Sequence, residues 1–177
     1  AGKDLVAGGT WLGCTQSGKF AGLTNFNQGD EPPTERSRGS LVHEFLVGDV
    51  SALEYAKGLP ANEYAGYNLF LFDGNELIYT SNIEVQGTQS TQVLAPGYYG
   101  LSNAQLGATW PKCTTGAQSL EAATARDFDA DDLLDMLNNR QQPSDELLPQ
   151  RGQPIEHERR LAPCFIVGDD YGTRACT

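Results

Sequence analysis

The sequence predicts an α+β fold arranged as a four-layer αββα sandwich of antiparallel sheets. Three observations lead there. Strand and helix patterns come in blocks (two strands, two helices, four strands, two helices, two strands) rather than in alternation. Ser17-Gly18 and Asp73-Gly74 each sit between apolar runs, where short turns join antiparallel neighbours. The strand candidates are apolar on both faces, as strands covered on both sides are.

The first unit is a hairpin, Thr10–Thr15 and Lys19–Thr24, turning at Ser17-Gly18. Leu12 and Cys14 share one face and Trp11 takes the other, so the hairpin is expected to be covered on both sides. Gly29, Pro32 and Pro33 break the chain into a loop. Ser37 to Val47 reads as a helix, because Leu41 and Phe45, like Val42 and Leu46, repeat at i,i+4. Ser51 and Glu54 form a capping-box pattern, and Gly58 and Pro60 end the short helix it starts.

Gly66–Phe72 and Glu76–Thr80 flank the Asp73-Gly74-Asn75 turn as a second hairpin, in which Asp73 and Asn75 are turn residues alone. Gln92–Leu94 and Tyr98–Ser102 are further strand candidates around Pro96-Gly97. Trp110–Arg126 reads as helical, with Pro111 tolerated in the first turn. Asp129 starts another helix, with Leu133, Leu134 and Leu137 on its buried side. Residues 139–160, with Pro143, Pro149, Gly152 and Pro154, read as a long polar loop. Cys164–Val167 and Tyr171–Thr177 read as final strands, the last cut off as it begins.

The chain has 177 residues, which predicts one domain large enough to hold together without a disulfide or metal. Its net charge is −11; residues 1–112 carry 11 acids and 6 bases, and residues 113–177 carry 12 and 6. That shared acidity, with no basic stripe, argues against nucleic acid and anionic membrane surfaces as partners. No run of 18 apolar residues is present, so no transmembrane segment is expected. Cys14, Cys113, Cys164 and Cys176 lack metal-ligand spacing and read as reduced, buried thiols of a cytoplasmic protein, although a disulfide between two of them stays open. The chain opens at Ala1 and holds one Met, Met136, which suggests a trimmed start or a fragment.

Phosphate-loop, dinucleotide and nucleophile-elbow patterns are absent. His43 falls on a helix surface, and His157, between Glu156 and Glu158, reads as a solvated loop residue. Asn25, Asn103 and Arg174 stand out, each at a strand end or tight turn beside small residues. An Asn amide can donate to a developing oxyanion, and Arg can clamp a carboxylate. The plainer reading makes Asn25 and Asn103 turn caps.

Seven motifs occur in order: Gly8-Gly-Thr-Trp-Leu-Gly13, Leu23-Thr-Asn-Phe26, Ser37-Arg-Gly39, Tyr67-Asn-Leu69, Tyr99-Gly-Leu-Ser-Asn-Ala104, Trp110-Pro-Lys112 and Tyr171-Gly-Thr-Arg174. Together they resemble the NRDE family, also called the transport-and-Golgi-organisation protein 2 family, over essentially the whole chain. The resemblance implies an N-terminal-nucleophile (Ntn) hydrolase-like fold, in which a Met-Cys opening supplies the nucleophile and an Asn-Arg-Asp-Glu motif follows. Neither is present here, and the chain is expected to lack both that N-terminal block and the C-terminal strands.

By analogy with related Ntn amidases, Asn25 and Asn103 would lie near an oxyanion and Arg174 would line the site. Two readings follow. One is a carrier of haem or a lipid-type ligand, with Trp11, Tyr67, Tyr98 and Tyr99 lining a pocket. The other is a cysteine amidohydrolase of a linear amide C–N bond in the whole protein.

Overall fold

A computed structural model of the chain describes residues 2–26, 34, 36–60, 62–85, 88–149, 151–169 and 172–173. The fold is α+β. Its contacts divide into two compact units, residues 1–97 with 101–106 and residues 98–100 with 107–177.

The first unit holds one antiparallel sheet in the order β1 (Leu12–Cys14), β2 (Phe20–Asn25), β3 (Tyr67–Phe72), β4 (Leu77–Val85), β5 (Thr88–Leu94). Helices α1 (Gly39–Val47) and α2 (Ala52–Gly58) lie between β2 and β3 in sequence. Leu23 opposes Leu69, and Leu71 opposes Ile78, so period-two alternation puts Ala21, Leu23, Tyr67, Leu69, Leu71 and Ile78 on one face. These pack with Leu41, Val42, Phe45, Ala52 and Ala56 of the two helices into a single apolar core. The Tyr55 hydroxyl donates to the Leu41 carbonyl at 2.9 Å and ties α2 to α1. Among the described residues this is the sheet that the four-layer expectation meets; a second sheet is not seen among them.

Two of the motifs explain each other through backbone packing. Thr10 N–H donates to the Gly39 carbonyl at 3.1 Å, and a Cβ added at Gly9 would stand 2.3 Å from the Gly39 carbonyl carbon. The Gly8–Gly13 and Ser37–Gly39 motifs therefore cross where only glycine leaves room.

The edge strand β1 corrects the expectation of a hairpin covered on both faces. Trp11, Leu12 and Cys14 are exposed, and Gly13 is the buried member. A three-residue edge strand has neighbours on one side only, so its side chains gain little cover. Strands β4 and β5 run well beyond the short apolar cores expected of them. The added length of β5 is polar and that of β4 mixes Ile83 and Val85 with polar residues; ladder pairing such as Ser81 with Ser90 carries them.

The turn residue Asp73 does more than turn the chain. Its Oδ1 accepts the N–H groups of Asn75 and Glu76, and its Oδ2 accepts the Ala52 N–H at 2.9 Å. One carboxylate thus closes the β3–β4 hairpin and caps α2, whose own N-cap Ser51 forms the expected capping box with Glu54. The Ala52 N–H, first among these donors, holds the Asp73 carboxyl below the usual range. A depressed carboxyl contributes stability above its unfolded pKa of about 3.9 and loses it as pH falls through the folded value. Asp73→Asn is expected to lower stability at pH 7 by at most about 1 kcal/mol, since the group faces solvent, and to flatten the acid limb of the stability profile. Urea titrations of both proteins between pH 7 and pH 3 check this; parallel profiles would refute it.

The second unit contains α3 (Pro111–Thr124), α4 (Ala130–Leu137), a 3-10 turn (Asp145–Leu147) and α5 (Ile155–Leu161). The start of α3 at Pro111 and of α4 after Asp129 match the sequence pattern, and Asp129 caps α4 in a box with Asp132. Leu133 and Leu137 are half-buried but Leu134 is exposed, so the buried side of α4 is narrower than expected. The expected loop 139–160 holds α5 and the 3-10 turn. Pro154 precedes α5, Glu156 and Glu158 fill its first turn, and Arg159 and Arg160 its last, the arrangement the helix dipole favours. His157 is accordingly a half-buried helix residue rather than a solvated loop residue.

Two expected strands do not form. In Tyr98–Ser102 the Ser102 carbonyl accepts side-chain donors instead of a ladder. In Cys164–Val167, Phe165 N–H goes to the Asn139 carbonyl, and Ile166 bonds Thr173 through both its N–H and its carbonyl. Of the last expected strand only residues 172 and 173 are described. No helix among the described residues is long and apolar enough to cross a membrane.

Candidate functional site

Three of the motifs converge in the first unit. Thr24 points to the sheet face opposite α1 and α2, as does Asn68 directly across from it on β3. The segment 102–106 crosses this face. Thr24 Oγ1 donates to the Ser102 carbonyl at 2.7 Å. Asn68 Nδ2 reaches the Ala104 carbonyl at 3.0 Å, Thr24 Oγ1 at 3.2 Å and the Ser102 carbonyl at 3.3 Å. Tyr79 closes the cluster, donating its hydroxyl proton to Asn68 Oδ1 at 2.7 Å while accepting the Leu106 N–H at 3.2 Å. Asn68 is fully buried and Tyr79 nearly so, and burial pushes the Tyr79 phenol up. A polar group so placed is tolerable only because its bonds are made.

Asn25 and Asn103, singled out from the sequence, are brought together beside this cluster. Asn103 Nδ2 donates to the Asn25 main-chain carbonyl at 2.9 Å, across 78 positions of sequence. One of the two N–H bonds of the Asn103 amide is thereby used, and the other remains. By alternation the Asn25 side chain lies on the helix-facing side, opposite Tyr67. Two buried side-chain oxygens in the described residues have no hydrogen-bond partner, Asn25 Oδ1 and Tyr67 Oη, and they belong to these two cross-strand neighbours. Buried unmade bonds cost free energy. Tyr67 is fully buried, with its ring edge-on to Tyr64 at 6.1 Å and its phenol pushed up by burial.

The remaining candidates are dispersed. Trp11 lies on the edge of the first unit at 39% exposure, with the Arg38 guanidinium 5.9 Å from its ring centroid. Tyr99 is half-buried and belongs to the second unit, as does the exposed Tyr98, whose hydroxyl shares a hydrogen bond with Thr124 Oγ1 at 2.7 Å. Arg174 and Cys176 lie outside the described residues. Cys14 is an exposed free thiol, against the buried one expected, whereas Cys113 is free and buried. Sequence reasoning missed Thr24, Asn68 and Tyr79 as a group. The available signal was a lone Asn inside the otherwise apolar Tyr67-Asn-Leu-Phe-Leu-Phe72 run.

A family model described as transport and Golgi organisation 2 matches residues 1–177. The chain belongs to the transport and Golgi organisation 2 family. It is similar to the Mus musculus transport and Golgi organization 2 homolog, 36% identical over 191 residues that cover 99% of this chain and 68% of the relative. It is likewise similar to the Homo sapiens transport and Golgi organization protein 2 homolog, 38% identical over 186 residues covering 96% of this chain and 66% of the relative. The Bos taurus homolog is 37% identical over 188 residues with the same coverage, 96% and 66%. The chain thus spans about two thirds of the length of these transport and Golgi organisation relatives.

Proposed function

We propose that this member of the transport and Golgi organisation 2 family handles an apolar ligand of the haem or lipid class. The observation that supports this is the apolar edge of the first unit. Trp11 and Leu12, at the start of the edge strand β1, are 39% and 40% exposed. Soluble chains seldom leave large aliphatic and aromatic side chains out together unless something covers them. Arg38 over Trp11 adds a cation for an acidic ligand group. The free thiols Cys14 and Cys113 suit a reducing, cytoplasmic setting. Titrating the chain with haemin by absorbance, and with a fluorescent fatty acid by displacement, tests this. Saturable binding of one of them, weakened roughly ten-fold in Trp11→Ala as expected for losing a large aromatic contact, supports the reading. Saturable binding of neither overturns it.

A second reading, a cysteine amidohydrolase, is favoured by the meeting of Asn25 and Asn103. The nucleophile would be the cysteine of the Met-Cys opening that the family resemblance implies for the whole protein, and the Asn103 amide, held on the Asn25 carbonyl by one N–H, would offer its other N–H to the oxyanion. On the same reading the sheet is one of two in an αββα sandwich, its partner packing against half-buried Phe70, Phe72 and Leu77 on the face away from the helices. The whole protein is assayed against linear amides. Asn103→Ala is expected to slow turnover roughly 100- to 1,000-fold, as loss of an oxyanion donor does. Absent turnover, or turnover unchanged when the opening cysteine becomes alanine, excludes this chemistry.

A further inference from the structure

The Trp110-Pro-Lys112 motif takes no part in the Thr24–Asn68–Tyr79 cluster. It opens α3 beside a cleft of the second unit, about 310 Å³ in volume. That is near the lower end of ligand-pocket volumes, roughly 300–1,000 Å³, and fits a small molecule. Its walls are apolar at Pro143, Leu147 and Pro163 and carry neutral amides such as Asn139 and Gln142. Of its twelve lining residues one, Lys112, is cationic and none is acidic, although residues 113–177 carry 12 acids.

The lysine is half-buried. Its ammonium donates to the Leu161 carbonyl at 2.9 Å, one bond for a group with three donors. Among the described residues no carboxylate pairs with it. Glu158, the buried acid of the neighbouring helix α5, is held by Arg151. Burial, first among the causes, pulls the Lys112 pKa down. A carboxylate would complete its bonds, and the apolar walls would take a short hydrocarbon chain. The Cys164 thiol, which donates to the Lys112 carbonyl at 3.7 Å, lines the same cleft.

We propose that this cleft binds a small organic carboxylate with a short apolar chain, its carboxylate on Lys112 Nζ and its chain against Pro143, Leu147 and Pro163. The proposal is independent of the ligand-handling reading above, which rests on the first unit.

Cys164 supplies the readout. Its alkylation by iodoacetamide is followed by site-resolved mass spectrometry with hexanoate, hexanol or inorganic phosphate present. Hexanoate is expected to slow the reaction saturably, roughly ten-fold once it exceeds its dissociation constant about ten-fold. Hexanol and phosphate, each lacking one half of the recognition, are expected to protect at least about ten-fold less well. Lys112→Met should abolish protection, while Lys112→Arg keeps a cation there and retains part of it. Because Lys112 also bonds Leu161, Ser144→Asp provides a variant that leaves that bond alone. It sets an acid at the exposed rim, where the residue precedes a 3-10 turn and an Asp is well tolerated. It should weaken hexanoate about ten-fold by repulsion. No protection by hexanoate, equal protection by hexanol or phosphate, or protection unchanged in both Lys112→Met and Ser144→Asp overturns the proposal.

Discussion

Replacing Asn68 with alanine is expected to cost about 3 kcal/mol of folding stability, because it strands more than one buried partner at once. Asn68 is fully buried and stands between β2, β4 and the segment 102–106. Its Nδ2 serves the Ala104 and Ser102 carbonyls and Thr24 Oγ1, and its Oδ1 takes the Tyr79 proton. Alanine removes all of these and admits no water in exchange unless the segment lifts off the sheet. The expected fall in Tm is roughly 6–12 °C for a chain of this size. Tyr79→Phe deletes only the hydroxyl, which donates to Asn68 and accepts from Leu106, and should cost about 1–2 kcal/mol. Since the two residues share one bond, the double variant should cost less than the two singles together. Urea denaturation at constant m-value measures all three. A loss below about 1 kcal/mol for Asn68→Ala would show that the carbonyls find other donors.

The elements the sequence displayed were those coded by local chemistry. Ser51 with Glu54 satisfies helix N–H groups within four residues, and Asp129 ahead of spaced leucines marks a helix start, so local pattern suffices to find α2 and α4. Asp73-Gly74 marks its hairpin for the same reason. Helix α5 was hidden by the prolines around it, although its acids early and bases late were there to be read. The outer part of β5, Thr88-Gln-Ser-Thr-Gln92, carries no apolar alternation and is strand only because a neighbour pairs with it. Tyr98–Ser102 does not form a strand, and its Ser102 carbonyl has partners that no local pattern reveals. The site followed the same division. Asn25 and Asn103 were visible as residue types, but their meeting depends on a contact across 78 positions. Asn68 and Tyr79 were missed because each sits in an apolar run that reads as core.

The second large effect belongs to Arg151. Glu158 is 3% exposed on α5, and Arg151 grips both of its carboxylate oxygens, with Nε at 3.1 and 3.0 Å and Nη2 on Oε2. The guanidinium also stands 5.0 Å from the Trp110 ring centroid, so the pair anchors the start of α3 as well as α5. Arg151→Met leaves the carboxylate buried without its counter-charge, and losses on breaking such pairs run to about 3–5 kcal/mol. Arg151→Lys keeps the charge but loses the planar fork and the stacking, and should cost an intermediate amount, about 1–2 kcal/mol. The decisive variant is Arg151→Met combined with Glu158→Leu. It removes both charges and replaces them with side chains of similar volume, so it should recover most of the loss, because desolvating two ions offsets most of what their attraction contributes. Thermal and urea unfolding of the three variants, followed by tryptophan fluorescence and circular dichroism, separate the cases. If the double variant is as unstable as Arg151→Met, the cost lies in lost packing around Trp110 rather than in the stranded carboxylate.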